Sequence, residues 1–372
     1  MSRRLAAELP DFPWDTLAAA KATASAHAGG LVDLSVGTPV DPTPELGTAA
    51  LAAAADSPGY PTTAGTAVLR RAIADYLQSR WGAAVEPAAT LPVIGTKELV
   101  AWLPTLLGLG PGDVVVLPTM AYPTYKVGAV TAGCSVVEAD DLADLPTDGS
   151  VRLVWINSPS NPTGEVLAPP VLAERLAWAR EHGAVVASDE CYGEFGWEVE
   201  PTSMLADAVC GGDHTGLLAL HSLSKRSNLA GYRAGFVAGE PALVADLLAV
   251  RKHLGMIVPG PVQAAMAALL GDRAHVEQQR ERYARRRALL RPALERCGFR
   301  IEHSEGSLYL WATRDEDGRA TVDFLARLGI LAAPGDFYGA AASRFVRIAL
   351  TATDERIAAA FARLNESGAA AR

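Results

Sequence analysis

A lysine, two hydroxyls and an arginine sit close together in Ser222-Leu223-Ser224-Lys225-Arg226-Ser227-Asn228-Leu229-Ala230-Gly231-Tyr232-Arg233. The apolar run Leu217-Leu218-Ala219-Leu220 just before it reads as a buried strand, so Lys225 falls where that strand ends. An amine in that place, beside Ser222, Ser224 and Arg233, suits a Schiff-base lysine next to a phosphate clamp. Taken alone, the stretch describes a solvated basic loop equally well.

Other strand ends carry matching chemistry. Gly95-Thr96-Lys97 follows a strand and opens a helix, where backbone N–H groups and the Thr96 hydroxyl can hold a phosphate at the positive end of the dipole. Threonine also caps helices with no ligand present. In Ala121-Tyr122-Pro123-Thr124-Tyr125 an aromatic ring is offered for stacking on a heteroaromatic one, although rim packing explains it too. Asn157-Ser158-Pro159-Ser160-Asn161-Pro162-Thr163-Gly164 is a turn stiffened by two prolines, and it aims Asn161 at the same edge. Asp189-Glu190-Cys191-Tyr192 ends the apolar run Ala184–Ser188, and a carboxylate closing a core strand needs a cation. That cation is either an internal partner or a protonated ring nitrogen. Finally, Arg347 lies in Phe345-Val346-Arg347-Ile348-Ala349 and can clamp a carboxylate or form a surface ion pair.

In combination these residues form one set. Thr96, Ser222, Ser224 and Arg233, with Lys97 beside them, make a phosphate cup. Asp189 is a pyridinium partner, Asn161 and Tyr192 are hydrogen-bond donors to a phenolate, and Tyr122 is the stacking ring. Lys225 supplies an amine and Arg347 a carboxylate clamp. Pyridoxal 5′-phosphate requires these contacts.

The elements that must position them alternate between strand and helix. Strands are expected at Leu91–Ile94, Val114–Leu117, Ser135–Glu138, Arg152–Ile156, Ala184–Ser188, Leu217–His221 and Gly235–Ala238, with helices such as Lys97–Leu107 and Leu172–His182 between them. This predicts an α/β fold whose mostly parallel seven-stranded sheet is covered on both faces and collects ligands at its carboxyl edge. After Leu270 the texture changes to a long charged helix near Ala274–Cys297. Strands follow at Phe299–Glu302, Leu308–Ala312 and Phe345–Leu350, with helices near Val322–Leu328 and Arg356–Leu364. The expected division is a large domain, 45–270, and a smaller α+β domain from 1–44 and 271–372. There is no internal repeat, and the Ala369–Ala371 tail carries no functional signal.

Bulk composition excludes several classes. A net charge of −9 over 372 residues argues against binding nucleic acid, and Arg285-Arg286-Arg287 reads as a solvated helix face. Four scattered cysteines, Cys134, Cys191, Cys210 and Cys297, fit buried free thiols rather than disulfides or a metal site. Met1–Leu5 reaches Glu8 and Pro10 before any signal-type run develops, and no stretch is apolar enough to span a membrane. The expected location is the cytoplasm.

The chain resembles the class I/II aminotransferases of PLP fold type I over nearly its whole length. The matching motifs are Leu34-Ser35-Val36-Gly37-Thr38-Pro39, Tyr60 followed by Gly65 and Leu69-Arg70, and Asn161-Pro162-Thr163-Gly164. Asp189-Glu190-Cys191-Tyr192, Ser222-Leu223-Ser224-Lys225, Gly231-Tyr232-Arg233 and Arg347 complete them. The resemblance implies a homodimer in which Tyr60 reaches the phosphate of the neighbouring subunit's cofactor, and it places Gly37 beside the substrate carboxylate. Within the family the wording is most similar to actinobacterial N-succinyldiaminopimelate aminotransferases, in Leu9–Asp15, Ser35–Pro42 and His221–Phe236.

That resemblance implies a mechanism. Lys225 carries the cofactor as an imine and, once released, moves the proton. Asp189 keeps the pyridine nitrogen protonated, Tyr192 and Asn161 bond the phenolic oxygen, and Arg347 orients the α-carboxylate. Glutamate and 2-oxoglutarate would form one substrate pair. N-succinyl-2-amino-6-oxopimelate, on the route to diaminopimelate and lysine, would be the other acceptor. Alternatives that keep the cofactor are a transaminase for N-acetylornithine or aspartate and a C–S β-lyase. A ligand-sensing regulator on this fold needs a DNA-binding module for which the chain has no spare segment. For the succinyl carboxylate, Arg226, Lys126, Arg251, Lys252 and Arg314 are all candidates.

Overall fold

Seven strands form the central sheet of the computed structural model. Their order is Thr90–Ile94, Ala234–Gly239, Leu217–Ser222, Val185–Asp189, Val151–Asn157, Val114–Leu117 and Ser135–Glu138. Ala234–Gly239 runs antiparallel to both neighbours, and the remaining pairings are parallel. The structure describes residue 9 and residues 12–370, without the side chains of 369 and 370. The N-terminal run read above, the Pro10-Asp11 pair and the last residues of the tail lie outside it.

The inner strands are largely apolar because both faces of the sheet are covered, whereas the edge strand Ser135–Glu138 is polar at both ends and has no fully buried residue. Successive side chains alternate between faces. Val154, Ile156, Val186, Ala219 and Phe236 join one apolar core, whereas Leu153, Trp155, Ala187, Leu220 and Val237 join the other. Helices Ala67–Trp81 and Gly260–Leu270 contribute to the first core, and Thr96–Leu106 to the second.

The strands extend one residue beyond several expected ends, and those extra residues are polar. Asn157 pairs in register with Asp189, and Ser222 with Gly235. The chemistry therefore begins on the sheet itself, where backbone ladders fix it, and not in the loops beyond.

A third core gathers Leu17, Val32 and Leu34 with Tyr283, Trp311, Ile348 and Leu364. It covers a four-stranded antiparallel sheet ordered Ala333–Pro334, Val346–Ala349, Tyr309–Thr313, Arg300–Glu302, and a parallel pair of Val32–Asp33 with Ile330–Leu331. On this grouping we propose unit boundaries at 45 and 270, which begin helix Glu45–Ala53 and end helix Gly260–Leu270.

The arginine run differs from its expected solvated role. Arg286 is buried on the long helix Ala274–Arg296, bonding Asp41 at 2.8 and 2.6 Å and Asp354 at 2.6 Å. Two carboxylates from distant segments compensate its charge, which the local sequence around it does not reveal. All four cysteines are free, with Cys134 and Cys210 buried and Cys191 and Cys297 partly so.

Candidate active site

A cavity of about 840 Å³ opens at the carboxyl edge of the large sheet. Thr96, Lys97, Tyr122, Asn161, Asp189, Tyr192, Ser222, Ser224, Lys225, Arg233, Gly37 and Arg347 all line it. Tyr60 does not: it lies outside the cavity and is fully exposed.

At one end the cavity suits an anion. Gly95 precedes helix Thr96–Leu106 with φ 69°, and no side chain caps that helix. Thr96 is thus the first helical residue and not its cap, so the first-turn N–H groups are left for a ligand. The left-handed φ explains the glycine, and a Cβ there would also meet the Arg233 guanidinium. Arg233 Nη1 donates to Ala230 O at 2.8 Å. Ser222 Oγ accepts from the Ser224 N–H at 3.1 Å, which turns the chain into the short helix Leu223–Arg226 bearing Lys225.

Deeper in, Asp189 is buried with no ion-pair partner among the described residues. Its Oδ2 accepts from Tyr125 OH at 2.7 Å and its Oδ1 from the Cys191 N–H at 3.2 Å. Burial pushes its pKa up, against the pull of those hydrogen bonds. A cationic ring nitrogen would supply the charge this carboxylate lacks. Asn157 Nδ2 donates to Asp189 O at 2.9 Å, while Asn157 Oδ1 accepts from the Asn161 N–H at 2.7 Å.

The opposite wall belongs to the smaller sheet. Arg347 Nη1 donates to Asn161 Oδ1 and Nη2 to Ser35 O, both at 2.8 Å, and Nε has no partner. The guanidinium lies 3.9 Å from the Tyr309 ring centroid. It is buried, and no carboxylate neutralises it among the described residues. Such a charge calls for an anionic ligand. Lys225 Nζ donates to Gly37 O. Burial lowers the Lys225 pKa, and Arg347 and Arg233 push it the same way.

Tyr125, Asn157 and Tyr309 escaped the sequence reading. Asn157 was within reach, since it ends the strand that leads into the proline turn. Tyr125 stacks on Trp155 and reads as core. Tyr309 sits in a buried strand whose every residue is enclosed, so no polar alternation marks it.

Phe12, Trp14 and Lys21 line the cavity as well. None of the five cations considered for a distal carboxylate lines it. Arg226 is buried against Glu194 at 3.3 Å, and Arg251 is buried against Glu98 at 2.9 Å. Lys126 pairs with Glu138 at 2.8 Å and Arg314 with Glu316 at 3.3 Å, while Lys252 lies outside the cavity.

A mostly parallel sheet that gathers an amine, an uncompensated carboxylate and an uncapped helix at one edge defines an enzyme that holds a phosphorylated heteroaromatic cofactor. The family model "Aminotransferase class I and II" matches residues 30–364, and the chain belongs to that family. Members of the family use pyridoxal phosphate, and the residues just described fit that group.

The chain is 60% identical to the 4-dedimethylamino-4-oxo-anhydrotetracycline transaminase OxyQ of Streptomyces rimosus, over 96% of this chain and 99% of the relative. It is 34% identical to the LL-diaminopimelate aminotransferase of Aquifex aeolicus, over 90% of each. Among solved structures it resembles a probable N-succinyldiaminopimelate aminotransferase from Thermus thermophilus, with TM-score 0.87 and 29% identity over 96% of this chain and 100% of that one. The two curated relatives carry other activities than the N-succinyl one suggested by the chain's wording.

Proposed function

We propose that this aminotransferase moves an amino group between glutamate and N-succinyl-2-amino-6-oxopimelate, with 2-oxoglutarate as the other product. The observation that carries an amino-acid or oxo-acid substrate is the buried Arg347 guanidinium, unneutralised and facing the same cavity as Lys225. Support for a second, distal anionic group comes from Lys21, an exposed cation among the cavity-lining residues and distinct from Lys97 beside the phosphate cup.

Bound pyridoxal phosphate would supply an electrophilic carbonyl and a ring that withdraws electrons from the substrate Cα. The chain does the rest. The Thr96 helix N-terminus, Ser222, Ser224 and Arg233 hold the phosphate, and Asp189 holds the ring nitrogen in its protonated form. Asn161 commits its Oδ1 to Arg347, which leaves its amide N–H groups to donate beside Tyr192. Arg347 aligns the α-carboxylate so that the Cα–H bond faces Lys225. Lys225 Nζ takes the proton from Cα of the amino donor and returns one to Cα of the oxo acceptor. Burial lowers its proton affinity, which favours the free amine that takes the proton.

The proposed assembly is a homodimer in which Tyr60, wholly exposed on the single chain, completes the phosphate site of its partner. A second reading has a polycyclic oxo compound as acceptor. The 60% identity to OxyQ favours it, as do the aromatic side chains Phe12 and Trp14 that line the cavity.

Steady-state assays decide between them: N-succinyl-LL-diaminopimelate, LL-diaminopimelate, N-acetylornithine and aspartate, each with 2-oxoglutarate, beside glutamate with a 4-oxo-anhydrotetracycline. Preference for the succinylated amine supports the first reading, and turnover of the tetracycline ketone alone overturns it.

A further inference from the structure

One side chain touches three parts of the site without having been assigned to any of them. Tyr309 OH lies 2.7 Å from Tyr192 OH, and the two rings meet edge to face at 5.5 Å. The face of the Tyr309 ring carries the Arg347 guanidinium at 3.9 Å. Its hydroxyl end presses on Gly37, where an added Cβ would also meet Cζ and Cε1 at 2.8 Å, and Gly37 O is the acceptor for Lys225 Nζ. Tyr309 belongs to the smaller sheet, paired with Ala349, while Tyr192 follows the last residues of a strand of the larger one.

The two hydroxyls hold one proton each, and this fixes the direction of donation. If Tyr192 gives its proton to an oxygen of the bound cofactor, the bond between the phenols must be made by the Tyr309 proton. Donation into the Tyr192 oxygen polarises the Tyr192 O–H and strengthens what it donates in turn. A guanidinium on the ring face of Tyr309 favours that direction, because it withdraws density from the phenol that gives the proton.

We propose that Tyr309 is a positioning residue with two working sides: its hydroxyl donates to Tyr192 and aims that phenol at the cofactor oxygen, and its ring seats Arg347 for the substrate carboxylate. This rests on the cofactor reading given above. The charged and titratable groups around this pair include Arg347, Tyr338 and Tyr283 from the smaller unit, Lys225 and Arg233 across the cavity, and Cys191 and Asp189 beside Tyr192.

The test uses reconstituted holoenzyme of the parent, Tyr309→Phe, Tyr309→Leu and Tyr192→Phe, with far-ultraviolet circular dichroism confirming the fold. Two quantities are read: the pH midpoint of the visible absorbance change, and the affinity for maleate, an unreactive dicarboxylate. A weaker Tyr192 donor leaves the cofactor oxygen more basic, so the chromophore keeps its proton to higher pH. Tyr309→Phe is expected to raise the midpoint by about 0.5 pH unit, in the direction of Tyr192→Phe but by less. It keeps the ring and should leave maleate binding within about twofold, whereas Tyr309→Leu should weaken it by roughly fivefold or more. The proposal is overturned if Tyr309→Phe keeps the parent midpoint while Tyr192→Phe shifts it, or if Tyr309→Leu binds maleate as the parent does. A parent that never turns yellow sinks the cofactor reading itself, a different and recognisable failure.

Discussion

Arg347 Nη1 donates to Asn161 Oδ1 at 2.8 Å, a buried bond between residues 186 positions apart. It ties the smaller sheet to the proline turn of the larger one, so the position of this guanidinium depends on both sheets. Ser35 O holds the second guanidinium nitrogen at 2.8 Å, which leaves little freedom in the plane of the fork.

Replacement of Arg347 by lysine keeps the charge but loses the planar fork. The expected result is a fall of about 10- to 100-fold in kcat/KM for glutamate, carried mostly by KM. Initial-rate kinetics with the cofactor saturating check it, and a variant within twofold of the parent would contradict the clamp role.

Lys225→Ala removes the buried amine that donates to Gly37 O. Turnover should drop by about four orders of magnitude, with an unchanged far-ultraviolet spectrum. Borohydride reduction of the yellow parent, followed by peptide mapping, should label Lys225. Label on another side chain would remove the basis for the assignment.

Tyr60 offers a test of the shared site. Tyr60→Ala and Lys225→Ala should each be nearly inactive alone. If Tyr60 acts across the interface, mixing and re-equilibrating equal amounts regenerates activity at about a quarter of the sites, because half of the dimers acquire one intact site. Recovery of no activity by the mixed protein refutes the exchange.

Glu190 gives a pH prediction. Burial raises its carboxyl from the ordinary 4.5 to about 7. Its folded pKa therefore exceeds its unfolded one, so the stability it contributes is fully present below about pH 4.5 and is lost as pH rises through about 7. His221, with Nε2 3.3 Å from Glu190, is pushed down to about 3 by burial and stays neutral across that window. The parent's unfolding free energy should carry a downward component of roughly 3 kcal/mol between those limits, which Glu190→Gln removes. Denaturant titrations of both proteins at matched salt test this. Parallel parent and variant profiles would exclude the burial account.

Much of this site was legible because strands buried on both faces must be apolar throughout. The run Leu217–Leu220 could not be mistaken for a half-exposed strand, and its end located Lys225. Asp189 was legible as a carboxylate placed where the core allows none without a partner. Residues that act through another residue were harder. Tyr125 and Tyr309 look like core from the sequence, and only the fold shows what their hydroxyls meet. The cations failed for a related reason: Arg226 is consumed by Glu194, which also takes Arg80 and Arg273, and that pairing is invisible along the chain. The two-residue strands Val32–Asp33 and Ile330–Leu331 are too short to show any period.

The single reversed strand, Ala234–Gly239, has a consequence for assembly. Its first residue stands in register with Ile94, and its second with Ser222. The segment carrying the lysine and the arginine is therefore pinned at both ends to neighbouring rungs of one ladder, beside the glycine that opens the anion-binding helix. Two rungs of backbone pairing thus bring the start and the finish of this eleven-residue excursion back to one place, whatever path the loop between them takes.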